Sequence, residues 1–171
     1  RPELIDIAVI RLPHLSNFTD FNPLENIENV SLRYISTLRE LGAPDLILLP
    51  GSKNTMYDLY WMRENGIEKK IMQLVHDGTS LLMGICGGFQ MMGRELSDPH
   101  CIEWDGKMKG MGLLPLRTVF EEMKVRSRIS GTVRAIAGAG NPIFQSLSGS
   151  DFTGYEIHMG HTESIEQAER L

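Results

Sequence analysis

The apolar positions of this chain fall in short blocks separated by polar turns, and the blocks switch between a strand period and a helix period. Ile5-Asp6-Ile7-Ala8-Val9-Ile10 is β-branched and mostly apolar, the pattern of a buried first strand. A polar loop runs from Arg11 to Leu24. Val30 to Thr37 predicts a second strand, and Leu46-Ile47-Leu48-Leu49 a third, closed by Pro50-Gly51. Thr55, with Asp58 three residues on, has the pattern of a capping box, and Gly66 is placed to stop that helix. Ile67, Ile71, Leu74 and Val75 fall at i, i+4, i+7 and i+8, one face of a second helix. The apolar run Ser80-Leu81-Leu82-Met83 then predicts a strand that enters Gly84-Ile85-Cys86-Gly87-Gly88-Phe89-Gln90 and turns helical.

Strands alternating with helices through the first half predict an α/β fold, with a mostly parallel central sheet flanked by helices. The second half is less regular. Gly112–Leu116, Val125–Ile129 and Gly131–Ile136 read as short antiparallel or edge strands, and Gly154-Tyr155-Glu156-Ile157-His158 as another. No repeat, low-complexity tract or linker divides the chain, and 171 residues suit one domain.

Composition narrows the classes of partner. A net charge of −5 argues against a nucleic-acid binder working through a broad basic face. No apolar run approaches the ~20 residues of a membrane span, and no signal-like segment precedes the first strand. The two cysteines, Cys86 and Cys101, make no disulfide framework, so a cytoplasmic setting is expected. The chain opens on Arg1 and stops at Leu171 within a polar, helix-like stretch, which reads as a piece of a longer protein. Met83, Met91 and Met92, around the cysteine, read as adaptable core filler.

The chemistry centres on Cys86. Strand, cysteine and helix in succession are the thiol counterpart of the Gly-x-Ser-x-Gly elbow, which exposes a nucleophile at the C-terminal edge of a sheet. A helix N-terminus there favours a thiolate, and the Gly87 amide is placed to face an oxyanion. Pro50-Gly51-Ser52 ends a neighbouring strand at the same edge, so the Gly51 and Ser52 amides are candidates for the other half of an oxyanion hole. Gly51-Ser52-Lys53 lacks the Gly-x4-Gly-Lys-Ser/Thr spacing of a phosphate loop, and no metal-ligand spacing is present.

A thiol nucleophile needs a base, and the histidines are His14, His76, His100, His158 and His161. His14, His76 and His100 have no motif around them. On a strand, Glu156 and His158 share a face, with Cα atoms roughly 6.6 Å apart, so Glu156 is placed to orient the imidazole. His158 is therefore the candidate base within the chain.

Gly84-Ile85-Cys86-Gly87-Gly88-Phe89-Gln90 resembles the nucleophile motif of class I (Triad-type) glutamine amidotransferase domains. Leu49-Pro50-Gly51-Ser52-Lys53-Asn54-Thr55 and Gly154-Tyr155-Glu156-Ile157-His158-Met159-Gly160-His161-Thr162 are similar to the cobyrinate-amidating subgroup. Arg11-Leu12-Pro13 through Ser16-Asn17-Phe18-Thr19-Asp20-Phe21 resembles the cobyric acid synthases rather than the a,c-diamide synthases. The resemblance spans nearly all 171 residues.

It implies a flavodoxin-like, three-layer glutaminase domain occupying residues 1–171 and C-terminally incomplete. Cys86 would attack the side-chain amide of glutamine and release ammonia, and Gln90 would help hold the substrate. The ammonia would pass to an N-terminal synthetase domain of the same polypeptide, absent from this chain. That domain would use ATP and Mg²⁺ to amidate carboxylates of adenosylcobyrinic a,c-diamide, a corrin. No cofactor is implied for residues 1–171 themselves. The family's His-x-Glu pair is not matched, because Gly160 stands two residues after His158. The resemblance therefore places the catalytic histidine in a later Tyr-Leu-His-Gly type segment, beyond Leu171. Two other readings stand beside this one: another cysteine-elbow α/β hydrolase of DJ-1/PfpI type, and a non-catalytic docking domain for a synthetase.

Overall fold

The computed structural model describes residues 4–134 and 142–165. Its first sheet is built from β1 (Ile5–Ile10), β2 (Val30–Ile35), β3 (Leu46–Leu49) and β4 (Leu81–Gly84), all parallel and in the order β2-β1-β3-β4. The one-turn helices α1 (Asn22–Glu25) and α2 (Leu38–Leu41) accompany the first crossovers. The longer α3 (Thr55–Glu64) and α4 (Ile67–His76) join β3 to β4, and α5 (Gly87–Met91) follows β4. Strands buried on both faces are uniformly apolar: Ala8, Val9 and Ile10 of β1 and Ile47 and Leu49 of β3 are fully buried.

Gly66, at φ +72, stops α3 and opens α4, which turns Ile67, Ile71 and Leu74 inward as its spacing predicts. The expected capping box at Thr55 is not formed. Asn54 caps α3 instead, its side chain accepting from the Tyr57 amide at 3.0 Å. Thr55 is the first helical residue, and the carboxylate of Glu103, distant in sequence, takes its amide at 2.7 Å. Asp58 is turned away from the helix terminus to other partners described below.

A second, mixed sheet carries β5 (Glu95–Asp98), β6 (Gly106–Lys109), β7 (Leu116–Thr132) and β8 (Asp151–Ser164) in the order β6-β5-β7-β8. The short helix α6 (Pro142–Leu147) lies between the last two strands. The second half is thus more regular than its sequence suggests. Val125–Ile129 and the start of Gly131–Ile136 belong to one 17-residue strand, while Ala135 and Ile136 lie outside the described residues. Of Gly112–Leu116 only Leu116 enters a strand, and Gly112 at φ +75 sits in the preceding turn. β5 and β6 carry too much charge and too few β-branched residues to announce themselves. The α/β class with antiparallel additions holds.

The two sheets meet through one core. Met91, Leu96 and Phe120 pack in the same cluster as Ile47, Leu49 and Met56. Full burial of Phe120 and Met91 contributes roughly 2–3 kcal/mol each, an upper estimate from apolar area. Met91 is core filler as expected, and Met92 packs against that core. Met83 is not: β4 is the edge strand of its sheet, and Met83 is 53% exposed.

Candidate active site

The register Leu48↔Met83 and Leu49↔Gly84 brings the C-terminal ends of β3 and β4 side by side. Beyond it, the Ile85 amide donates to the Leu49 carbonyl at 2.9 Å and the Gly88 amide to the Pro50 carbonyl at 3.1 Å. Between these anchors the chain reverses at Cys86, which adopts φ 50, ψ −111. A non-glycine residue in that region costs about 1–3 kcal/mol and persists only where its surroundings enforce it. The glycines serve close approach rather than positive φ. A Cβ on Gly88 would lie 2.0 Å from the Leu49 carbonyl oxygen, and one on Gly84 2.7 Å from the Gly88 backbone. A Cβ on Gly87 would lie 2.8 Å from Thr55 Oγ1 and 3.0 Å from the Ser52 amide nitrogen. The elbow is therefore pressed against the Gly51–Ser52 turn, with the Cys86 side chain exposed above it.

That turn is held from the other side by the loop after β1. Ser16 donates its amide to the Gly51 carbonyl at 3.0 Å, and Lys53 its amide to the His14 carbonyl at 2.8 Å. These bonds flank the antiparallel bridge Leu15↔Ser52. In such a pair the N–H and C=O of the bridged residue point away from its partner, so the Ser52 amide points toward the elbow. Among the described residues, no backbone or side-chain hydrogen bond uses the amides of Gly51, Ser52 or Gly87. The three sequence-predicted amides are thus brought together beside Cys86 with their donor capacity uncommitted, the arrangement an oxyanion requires.

The edge of β8 closes the other side of the thiol. Cys86 Sγ donates to the Ile157 carbonyl at 3.6 Å, and Gln90 Nε2 to the Met159 carbonyl at 2.9 Å. Gln90 is only 5% exposed, so its amide is a structural tie between the sheets as well as a wall of the site. His158 and Glu156 do share a face, and His158 Nε2 lies 2.8 Å from Glu156 Oε1. Its Nδ1 lies 3.0 Å from the Gly160 carbonyl oxygen. Neither of these contacts is to the Cys86 thiol.

A cavity of about 640 Å³ opens here, touched by Gly51, Ser52, Cys86, Gln90 and His158. A second, of about 490 Å³, lies beyond Cys86 against Phe89, His161 and Thr162. The first is the size of a small-molecule site. Among the described residues, no group of three or more His, Cys, Asp or Glu is placed to hold a metal ion. No described helix is long and apolar enough to cross a membrane.

Glu103 reaches the larger cavity and carries no sequence motif. Burial pushes its carboxyl up to about 7, against the Met56 and Thr55 amides that favour the charged form; the charges of Asp98 and Asp58 add to the upward push. Asp98 goes the other way. Its burial works against ionisation, but the backbone amides of the next loop, including those of Glu103 at 2.6 Å and Trp104 at 2.8 Å, hold it below the usual carboxylate range. Asp58, fully buried, accepts from His14 and from the Ser52 hydroxyl. No sequence motif marks Glu103, and His14, a loop histidine, and Asp58, the acidic member of the expected capping box, become partners only through the fold. The signal available for His14 was its place in the Arg11–Phe21 loop that carries the family resemblance.

Comparison with known proteins agrees with this geometry. Residues 6–171 match the model of a CobB/CobQ-like glutamine amidotransferase domain. The chain is 57% identical over 163 residues to the cobyric acid synthase of Ruminiclostridium cellulolyticum, covering 95% of this chain and 31% of that protein. The corresponding enzyme of Lachnoclostridium phytofermentans is 52% identical, with 92% and 30% covered. That of Moorella thermoacetica is 49% identical, with 91% and 29% covered. The chain therefore spans about 30% of the length of these relatives. Two solved structures share the fold. One is a glutamine amidotransferase (TM-score 0.60, 14% identity, covering 95% of this chain and 75% of that one). The other is PurLQS from Thermotoga maritima (TM-score 0.62, 19% identity, 95% and 70%).

Proposed function

The chain belongs to the CobB/CobQ-like glutamine amidotransferase family, and from that premise we propose that Cys86 takes ammonia from the side-chain amide of glutamine for the amidation of corrin carboxylates. The observation that carries the chemistry is the meeting of Cys86 with the uncommitted amides of Gly51, Ser52 and Gly87 at one cavity. In this reading the Cys86 sulfur attacks the amide carbon, and the carbonyl oxygen becomes an oxyanion received by those amides. The C–N bond then breaks, nitrogen leaves as ammonia with the proton from the thiol, and a thioester remains. Water hydrolyses the thioester to glutamate and restores the thiol.

The proton needs a carrier. His158 has both ring nitrogens engaged within β8, one by Glu156 and the other by the Gly160 carbonyl, and neither of these contacts is to the thiol. We assign His158 to shaping the site and the proton to a different base. The family resemblance puts that base in a Tyr-Leu-His-Gly type segment, which residues 1–171 do not contain.

Fate of the ammonia is the second half of the proposal. The named relatives are cobyric acid synthases more than three times as long as the match, so a synthetase portion, with its ATP, Mg²⁺ and corrin, fits the length outside the aligned segment. The Gly51-Ser52-Lys53 turn abuts the elbow instead of forming a phosphate loop. A DJ-1/PfpI-type hydrolase is not favoured, because the amidotransferase match runs from residue 6 to 171.

Incubation with a glutamine-like chloroketone tests the reading. Covalent mass should appear on Cys86, glutamine should protect it, and Cys86→Ala should abolish it. Labelling that ignores glutamine, or lands elsewhere, would overturn it.

A further inference from the structure

Asp58 occupies the first turn of α3 but does not cap it. Its carboxylate, fully buried, instead gathers donors from two separate loops. The His14 amide approaches both oxygens at 3.3 and 3.1 Å, His14 Nδ1 lies 2.8 Å from Oδ1, and the Ser52 hydroxyl donates to Oδ2 at 2.6 Å. A buried carboxylate is tolerated only when its lone pairs are satisfied, and here two loops satisfy it together. Ser52 Oγ in turn accepts the Asn54 amide at 3.0 Å, which fixes the hydroxyl between two partners. The His14 ring is braced edge-on against Tyr57 with centroids 5.0 Å apart.

We propose that Asp58, acting through Ser52 and His14, is the positioning residue that holds the Gly51–Ser52 turn in register with the Cys86 elbow. This rests on the proposed glutaminase chemistry. On charge alone a carboxylate is a poor neighbour for an oxyanion, so its use here is geometric. It pins the Ser52 side chain on one side of the turn, which leaves the Ser52 amide facing Gly87 on the other. The two polar motifs that flank this carboxylate, Arg11–Phe21 and Leu49–Thr55, otherwise contribute no reacting group. Their shared task is to build the second wall of the oxyanion hole, tied together by the contact of His14 with Asp58, 44 residues away.

Ser52→Ala and Asp58→Asn in the full chain test this. Ser52→Ala removes the hydroxyl of the link, Asp58→Asn leaves one acceptor oxygen where His14 and Ser52 use two, and both leave every backbone amide in place. Inactivation by the glutamine-like chloroketone, whose carbonyl needs the oxyanion amides, is expected to slow about 10- to 100-fold. Alkylation of Cys86 by neutral iodoacetamide, which needs only an accessible thiol, should stay within about twofold on the same reasoning. Should Asp58→Asn fail to fold, Ser52→Ala carries the test alone. Unchanged chloroketone rates overturn the inference, and so does a parallel fall in both reagents, which would mean that the elbow itself is disturbed. A wild-type chain whose Cys86 is alkylated by iodoacetamide but not by the chloroketone overturns the glutaminase reading as well, which separates the two failures.

Discussion

The imidazole of His158 and the carboxylate of Glu156 close on each other at 2.8 Å, and the second ring nitrogen of His158 faces the Gly160 carbonyl at 3.0 Å. With an oxygen of β8 at each nitrogen, the ring is engaged within its own strand. A thiol neighbour gains no base from a ring held this way. His158→Gln should therefore leave the pH dependence of iodoacetamide alkylation at Cys86 in place, with the rate at neutral pH within about threefold. A fall of more than about tenfold would identify His158 as the base after all.

Close approach at the elbow makes a second prediction. A methyl at Gly88 would meet the Leu49 carbonyl oxygen at 2.0 Å, where α5 cannot retreat from β3 without breaking the backbone bonds of Gly88 to Pro50 and of Ile85 to Leu49. At Gly154 in β8, a Cβ meets nothing within 4 Å. Gly88→Ala should lower the unfolding free energy by roughly 3 kcal/mol or more, while Gly154→Ala should stay within about 0.5 kcal/mol. Urea denaturation of both variants checks the contrast, and equal effects would show that the elbow is looser than described.

Much of this architecture is written in local pattern. β1, β3 and α4 follow from short, mostly apolar runs and a helical spacing of Ile67, Ile71 and Leu74, because their burial is simple and one-sided or complete. Cys86 is legible because its environment is contiguous in the chain. The second half resists the same reading for a physical reason. β7 and β8 form a ribbon with both faces partly wet, so Arg126 stands opposite Ile157 and Arg128 opposite Tyr155, and no clean alternation survives. His14, Asp58 and Glu103 were opaque for another reason. Their partners are set by tertiary contact, and no spacing along the chain encodes the bond from Glu103 to Thr55, 48 residues away. The polar residues around Thr55 have the pattern of local capping, while the helix terminus is closed by Asn54 and by that distant carboxyl group.

Strain at the nucleophile gives a third test. At φ 50 the Cys86 backbone is one that a Cβ disfavours and glycine does not. Glycine ordinarily loses to alanine through the entropy of its unfolded chain, by roughly 0.5–1 kcal/mol. At this position the order should reverse, with Cys86→Gly more stable than Cys86→Ala by about 1 kcal/mol in chemical denaturation. An alanine variant equal to or better than glycine would mean that residue 86 leaves this conformation without cost.

The raised carboxyl of Glu103 makes the fourth prediction, and its sign follows from linkage. Burial lifts the folded-state value from 4.5 to about 7, so between those limits the folded protein holds a proton that the unfolded chain has released. Its contribution to stability is fully present below about pH 4.5 and is lost as pH rises through about 7. Glu103→Gln keeps an oxygen to accept the Thr55 amide and removes the titration. The stability of wild type relative to that variant should therefore fall from about pH 5 to about pH 8, by about 1–2 kcal/mol after discounting for solvent screening of a partly exposed group. Asp98 and Asp58, whose charges oppose ionisation of Glu103, remain in both proteins, so the difference isolates the one carboxyl. A wild-type minus variant stability that stays flat across that range would show that Glu103 is ionised throughout and that the α3 terminus is held by an ordinary carboxylate.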